Sequence, residues 1–274
     1  MENKNFRFKK EFGQNFIFDT NFITSFVRKF DIPSDSNIVE IGAGMGTLTE
    51  VLAKNFKRVV SFEIDKTLTE KLHGLENNYK NLTIVFGDIL EQKLCDIEKM
   101  FDGEKYFVVA NLPYYITSQI IFKFLFESQK LDSMFVMVQR EVGERYCAKS
   151  GTKEYGIPSV MLGTFAETKI VQQVSRKMFT PMPNVDSCII KIKLDRDKFD
   201  IADQDKFHKF VSGCFAMKRK TLANNLKKMG YNEGQVLSTL NALSLIPTIR
   251  PEDISPEDYV TMFNLLCGEK HKDR

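Results

Sequence analysis

An α/β architecture, built as a doubly wound, mainly parallel sheet followed by a small all-helical domain, is what this 274-residue sequence predicts. Three observations carry the prediction. Short apolar runs alternate with helical patterns from about residue 21 to residue 138, the signature of strand–helix–strand units. A glycine-rich turn, Glu40-Ile-Gly42-Ala-Gly44-Met-Gly46, closes the first of those runs. After about residue 195 only helical signals remain, which places the domains at 1–194 and 195–274.

Phe22, Phe26 and Phe30 recur at i, i+4, i+8 and mark one face of a helix over 21–30. Residues 37–41 read as a strand, and Leu48, Val51, Leu52 and Phe56 belong to the helix after the glycine turn. A second apolar strand covers 58–64, with a helix over 66–76. Further strands are expected at 82–86, 106–110 and 134–138, the last two separated by a helix carrying Ile120, Ile121, Phe124 and Leu125. Residues 167–174 and 187–194 read as two late strands of an antiparallel hairpin at the sheet edge. Helices are expected near 203–216, 219–229, 233–243 and 256–267. The last opens with Ser255 as cap, Pro256 in the first helical position and Asp258 three residues beyond the cap.

Composition narrows the class. Hydrophobic residues make up 43% of the chain, enough for a substantial core. No apolar run is long enough for a bilayer span, and the first ten residues do not read as a signal peptide. Cys95, Cys147, Cys188, Cys214 and Cys267 form no close pair, as expected of free thiols in a cytoplasmic protein. His73, His208 and His271 are isolated, so no metal site is expected. The net charge of +3 permits an RNA partner without demanding one.

The glycine turn gains meaning from Glu63, which ends the second strand 21 positions after Gly42. That is close to the ~20-residue spacing at which an acid meets ribose hydroxyls in doubly wound folds. A dinucleotide fingerprint would place its third glycine at position 47, but Thr47 stands there and the glycine comes one residue early, at Gly46. The departure favours a nucleoside ligand without pyrophosphate, such as S-adenosylmethionine. Asp88, after the third strand, can accept from an adenine amine, while Ile64 or Ile89 covers the ring. The bland alternative is two solvent-facing acids at strand ends. Their position on consecutive strand tips beside a glycine turn favours ligand contact.

Asn111-Leu112-Pro113-Tyr114 follows the fourth strand directly. Pro113 forces a turn. The turn offers a carboxamide, a backbone carbonyl at Leu112 and the aromatic face of Tyr114, which suits the planar amine of an adenine base. Accepting both N6–H bonds would hold that nitrogen in line with an activated methyl group. Stacking on Tyr114 contributes roughly 1–3 kcal/mol per base. Phe179, in the proline-stiffened segment Met178-Phe179-Thr180-Pro181-Met182-Pro183, is the candidate for the opposite face of the base. Most of the 24 phenylalanines are expected in the core instead.

With these residues in view, the chain resembles the KsgA (RsmA) ribosomal RNA adenine dimethyltransferases over nearly its whole length. The matching segments, in the family's order, begin with Phe12-Gly-Gln-Asn-Phe16, Glu40-Ile-Gly-Ala-Gly44, Glu63-Ile-Asp65 and Asn111-Leu-Pro-Tyr114. They continue with Val138-Gln-Arg-Glu-Val-Gly-Glu-Arg145, Glu154-Tyr-Gly156, Phe179-Thr-Pro-Met-Pro-Asn-Val-Asp-Ser187 and Arg219-Lys-Thr-Leu-Ala-Asn-Asn-Leu226. The resemblance implies a Rossmann-like S-adenosylmethionine-dependent methyltransferase domain. It implies that Gln14, Asn15 and Ile17 form a strap over the methionine end of the donor. Gly42 would line the donor pocket, Glu63 would hold the ribose and Asp88 the donor adenine. Asn111 would lie between donor and target, with Leu112 lending a carbonyl and Tyr114 and Phe179 enclosing the target base. The implied reaction is N6,N6-dimethylation of two adjacent adenosines in a hairpin loop near the 3′ end of 16S rRNA, within an immature small ribosomal subunit. Tyr115 stands where the family often has Asn and is expected to lie behind the site. Ala43 stands where Pro is common.

Arg7, Lys9 and Lys10 precede the strap, and Lys218, Arg219 and Lys220 form a dense cationic run in the helical domain, suited to RNA phosphates. Lys227 and Lys228 read as an ordinary solvated helix face. Nothing in the sequence demands more than a monomer. Rival readings are an Erm-type enzyme acting on 23S rRNA, a non-catalytic RNA-binding assembly factor, and a DNA adenine methylase. Leu112, Glu154-Tyr-Gly156 and Arg219-Lys-Thr-Leu222 favour the KsgA type over Erm. Intact Asn111, Glu63 and Asp88 speak for catalysis, and the helical tail offers no duplex reader.

Overall fold

The structure is a computed structural model and describes residues 15–201 and 203–267. The expected doubly wound sheet is present. Strands β1 (Asn37–Ile41), β2 (Arg58–Glu63), β3 (Leu82–Phe86), β4 (Tyr106–Asn111), β5 (Leu131–Gln139), β6 (Ala166–Val174) and β7 (Ser187–Leu194) form a seven-stranded sheet in the order β3-β2-β1-β4-β5-β7-β6. The first five strands run parallel to one another, with Val39 opposite both Val60 and Val108. Every residue of β1 is buried, which is why it reads as an apolar run without alternation. The late strands are neighbours as expected, but β7 lies inside the sheet, antiparallel to β5, and β6 forms the edge.

Helices α1 (Thr20–Val27), α2 (Thr47–Asn55), α3 (Thr69–Glu76), α4 (Leu94–Lys99) and α5 (Thr117–Glu127) accompany the sheet. The Asp19 side chain accepts from Phe22 N at 3.0 Å and caps α1. The phenylalanine face continues through a 3-10 turn, Arg28–Phe30, and the Phe30 ring stacks on Phe135 at 4.3 Å. This seats α1 on the sheet. The short α4 was not expected, since it has no side-chain cap and too few residues to display a helical period.

The chain divides into two compact units. One comprises the described residues through Gly143 together with Lys169–Leu194. The other comprises Glu144–Thr168 and the chain from Asp195 onward. Residues 144–168 thus group with the chain from Asp195 onward. Packing is the reason. Helix α7 (Ile157–Phe165) is apolar nearly all round and is completed by α8 (Gln204–Cys214) and α11 (Pro256–Cys267). Phe207 meets Phe165 and Phe263 edge-on at 6.2 and 5.4 Å. A side chain at Gly163 would lie 2.8 Å from Pro256, so the glycine permits the close approach of α7. The remaining helices are α6 (Arg140–Tyr146), α9 (Leu222–Lys228) and α10 (Glu233–Ala242). The Thr221 side chain caps α9, and Asn232 and Gln235 form a reciprocal box at α10. The Ser255 hydroxyl accepts from Asp258 N, as the sequence expects. No helix of the described residues is long and apolar enough to cross a membrane.

One core group runs against the apolar trend. Glu40, on β1, is fully buried; Ser61 Oγ donates to its Oε2 at 2.5 Å, and Oε1 has no partner among the described residues. Burial, offset only in part by the Ser61 hydroxyl, raises its pKa to about 7. The folded state therefore holds this proton more tightly than the unfolded chain does. The associated stability is fully present below pH 4.5 and is lost as pH rises to about 7. Glu40→Gln, which stays neutral, should remove that dependence, worth on the order of a few kcal/mol. Thermal melts across this pH range should show a flatter profile for the variant than for the parent.

Candidate functional site

Because β1 to β4 run parallel, their carboxyl ends share one edge of the sheet, where ligands bind in open α/β folds. A cleft opens there, lined by the glycine turn, Glu63, Ile64, Gly87, Asp88, Ile89 and the 111–116 turn. Gly42 and Ala43 N–H groups both donate to Phe62 O, at 2.8 and 3.1 Å, folding the turn back over β2. Gly42 has φ +80° and Gly44 φ +54°, values that disfavour any side chain. At Gly44 space also decides, since a Cβ would lie 2.5 Å from Cε1 of Phe16. The strap residue Phe16 thus closes directly over the glycine turn.

Glu63 ties this loop to its strand. Its Oε2 accepts from Gly44 N at 2.7 Å and its Oε1 from Asp65 N at 2.8 Å. Burial raises its pKa against the pull of those two donors. A carboxylate has about four acceptor positions, so Glu63 keeps capacity for a hydroxyl in the cleft. Asp88 uses Oδ1 to accept from Leu90 N at 2.8 Å, while Oδ2 has no partner among the described residues. Ile64 is 41% exposed at the cleft, and Ile89 is buried in its wall. An aliphatic wall, a carboxylate at a strand tip and a second carboxylate with an oxygen left over have the chemistry to hold an adenosine.

Asn111 ends β4 opposite Met137 of β5. Its Nδ2 donates to the carbonyl of Asn15 at 2.9 Å. That carbonyl can only accept, so the amide nitrogen must face the strap and Oδ1 is turned away from it. Leu112 N donates to Met137 O at 3.2 Å, which extends the ladder one residue past the strand; the Leu112 carbonyl accepts no hydrogen bond among the described residues. Pro113 O accepts from Ile116 N and from the Thr117 hydroxyl, starting α5. The Tyr114 hydroxyl is held 2.8 Å from Ser187 Oγ on β7, which fixes the ring at the cleft wall, and burial raises its pKa. Asn111, Leu112 and Tyr114 thus line the same cleft as Glu63 and Asp88.

The structure brings together Asn15, Gly42, Glu63, Ile64, Asp88, Ile89, Asn111, Leu112 and Tyr114 around one cleft. Gln14 lies outside the described residues. Phe179 corrects an expectation: it is 3% exposed, belongs to the hydrophobic core and does not line the cleft. Its neighbour Thr180 pairs with Phe16 through reciprocal backbone bonds of 3.0 and 2.8 Å. Adjacent side chains on extended backbone point to opposite sides, so the ring next to this bridge turns inward. Ile17 behaves likewise. It is buried and lines an apolar hollow beside the cleft, while Phe16 faces the cleft itself. Tyr115 is also corrected, because it lines the cleft and is 58% exposed instead of lying behind the site. Phe16 and Tyr115 each adjoin a segment singled out in the sequence, which is the signal that could have found them.

In the second unit, Lys218, Arg219 and Lys220 are exposed, and none of them pairs with a carboxylate among the described residues. The turn that presents them is built. Arg250 Nη2 donates to Lys218 O at 2.8 Å, and Met217 N donates to the side chain of the buried Asn225 at 2.8 Å. Among the described residues no group of three or more His, Cys, Asp or Glu side chains could hold a metal ion.

Comparison with known proteins follows the same lines. The profile described as "Ribosomal RNA adenine dimethylase" matches residues 5–267. The chain is 41% identical to ribosomal RNA small subunit methyltransferase A of Caldanaerobacter subterraneus, covering 94% of this chain and 97% of that protein. It is equally similar to the protein of that name from Bacillus mycoides, at 41% over 98% of this chain and 95% of the other. Among solved structures, a dimethyladenosine transferase from Plasmodium falciparum superposes with a TM-score of 0.76 at 24% identity, over 90% of this chain and 97% of that one. The 23S rRNA methyltransferase ErmE gives 0.72 at 24%, over 92% and 99%; these two likenesses concern the fold. By the extent of the profile match and the full-length identity, the chain belongs to the ribosomal RNA adenine dimethylase family.

Proposed function

We propose that this chain transfers methyl groups from S-adenosylmethionine to N6 of two adjacent adenosines in a hairpin loop near the 3′ end of 16S rRNA, within the immature small ribosomal subunit. The family and the full-length relatives support an rRNA adenine substrate and the small subunit. The observation that carries the chemistry is the orientation of Asn111, whose nitrogen is committed to the Asn15 carbonyl.

S-adenosylmethionine, when bound, supplies a methyl group on a sulfonium that departs as a neutral thioether. The chain's own residues do the rest. Glu63 and Asp88 hold the ribose and adenine of the donor, and the glycine turn admits its methionine end beneath Phe16. Asn111 Oδ1 and the Leu112 carbonyl accept the two N6–H bonds of the target. Accepting both fixes the amine in line with the methyl and favours the more pyramidal nitrogen of the transition state; as the N–C bond forms and the S–C bond breaks, the proton shed by N6 passes to solvent. Tyr114 stacks on the base. Phe179 acts from the core by anchoring the loop whose Thr180 pairs with the strap. Lys218, Arg219 and Lys220 bind backbone phosphates of the RNA, and the protein acts as a monomer in the cytoplasm.

Asn111→Ala should lower kcat by about a hundredfold or more, the scale for losing one oriented transition-state contact. S-adenosylhomocysteine affinity by calorimetry should remain largely intact. Gly44→Ala should displace Phe16 and strain the turn, at on the order of 1–3 kcal/mol, and should weaken S-adenosylhomocysteine binding in the same titration. Deleting the gene and digesting both rRNAs for mass spectrometry should show loss of dimethyladenosine from 16S rRNA only. Loss from 23S rRNA alone would overturn the proposal.

A further inference from the structure

Two large hydrophobic side chains are left in water at the same cleft: Ile64 at 41% and Tyr115 at 58% exposure. Ile64 follows Glu63 directly, and Asp88, Ile89 and Tyr115 line the cleft with them. An exposed aromatic ring costs little in a protein whose ligand will cover it, and an aromatic face beside an aliphatic one suits a flat heterocycle. Resting on the donor reading above, we propose that Tyr115 closes the purine end of the donor cleft, its ring covering the face of the donor adenine opposite Ile64.

Two further observations agree with this placement. The Asp88 carboxylate lies close enough to Tyr115 to oppose ionisation of its phenol, which burial also disfavours more strongly. Ring and acid line one cleft, and the acid is the one that receives the adenine amine in that reading. Tyr115 is also directly joined to Tyr114, whose hydroxyl is held by Ser187. The 114–115 pair therefore spans both substrates, with Tyr114 toward the target base and Tyr115 toward the donor base. A ring in this position recognises the purine and not the amino-acid end of the donor. It should grip donor and demethylated product alike.

The test is calorimetry of the full chain with S-adenosylhomocysteine and with 5′-methylthioadenosine, which lacks the amino-acid end. Tyr115→Phe keeps the ring and should bind both like the parent. Tyr115→Ala should weaken both by the same factor, roughly fivefold or more, as expected for a lost base stack. Its melting temperature should stay unchanged, since the side chain is exposed. The KM for the RNA substrate should not move. Equal affinities across the three proteins, or a raised KM for RNA with donor-site binding intact, would overturn the assignment to the donor. Failure of the parent itself to bind S-adenosylhomocysteine would instead overturn the donor reading on which this inference rests.

Discussion

Parallel pairing of β1 with both β2 and β4, and of β2 with β3, is the constraint on which the rest of the first unit depends. It aligns the carboxyl ends of four strands, so residues dispersed over seventy positions of sequence arrive at one edge. Glu63, Asp88 and Asn111 are each the last residue of a strand or lie just beyond one. A slip of one residue in any pair would turn the side chains to the opposite face of the sheet. Continuous burial of β1 resists such a slip, because the apolar strand is covered on both faces. The cleft is thus a consequence of register before it is a consequence of any particular side chain.

On that frame, hydrogen bonds and close contacts connect residues 15–16, the glycine turn and the Asn111–Tyr114 turn. Glu63 holds Gly44, Gly44 leaves room for Phe16, Phe16 pairs with Thr180, and Asn15 receives the amide of Asn111. Orientation of the Asn111 carboxamide therefore depends on the strap being in place. An amide free to rotate would offer nitrogen and oxygen equally to the incoming amine, and only the oxygen can accept. Two carboxyls close to this chain, Glu40 and Glu63, are kept out of water at a cost in desolvation that raises both pKa values. The cost is tolerated where backbone or hydroxyl donors compensate it.

Much of this was legible in the residues themselves. The strand order of events along the chain, the turn glycines, the acid 21 positions on and the Asn-Leu-Pro-Tyr turn are local patterns, and local patterns survive in sequence. Less local features were missed. The segment 144–168 looked continuous with the sheet domain, because nothing in its own periodicity states that its apolar faces are met by Phe207, Phe263 and Pro256. Phe179 stood in a stiff, proline-flanked loop that suggested presentation to a ligand. The backbone bridge at its neighbour decided that its ring would turn into the core.

The sequence by itself determined the alternation of strands and helices, the glycine turn with its acid on the next strand, and which side chains have acceptors to offer an amine. These depend on spacing along the backbone and on side-chain chemistry, both written into neighbouring residues. Tertiary structure alone decided which way the Asn111 amide points, that Phe16 and Tyr115 face the cleft while Ile17 and Phe179 do not, and where the second unit begins. Each of those outcomes depends on contacts between residues far apart in the chain, such as Asn15 with Asn111 across 96 positions. No local preference encodes such a contact until the sheet has brought its two ends together.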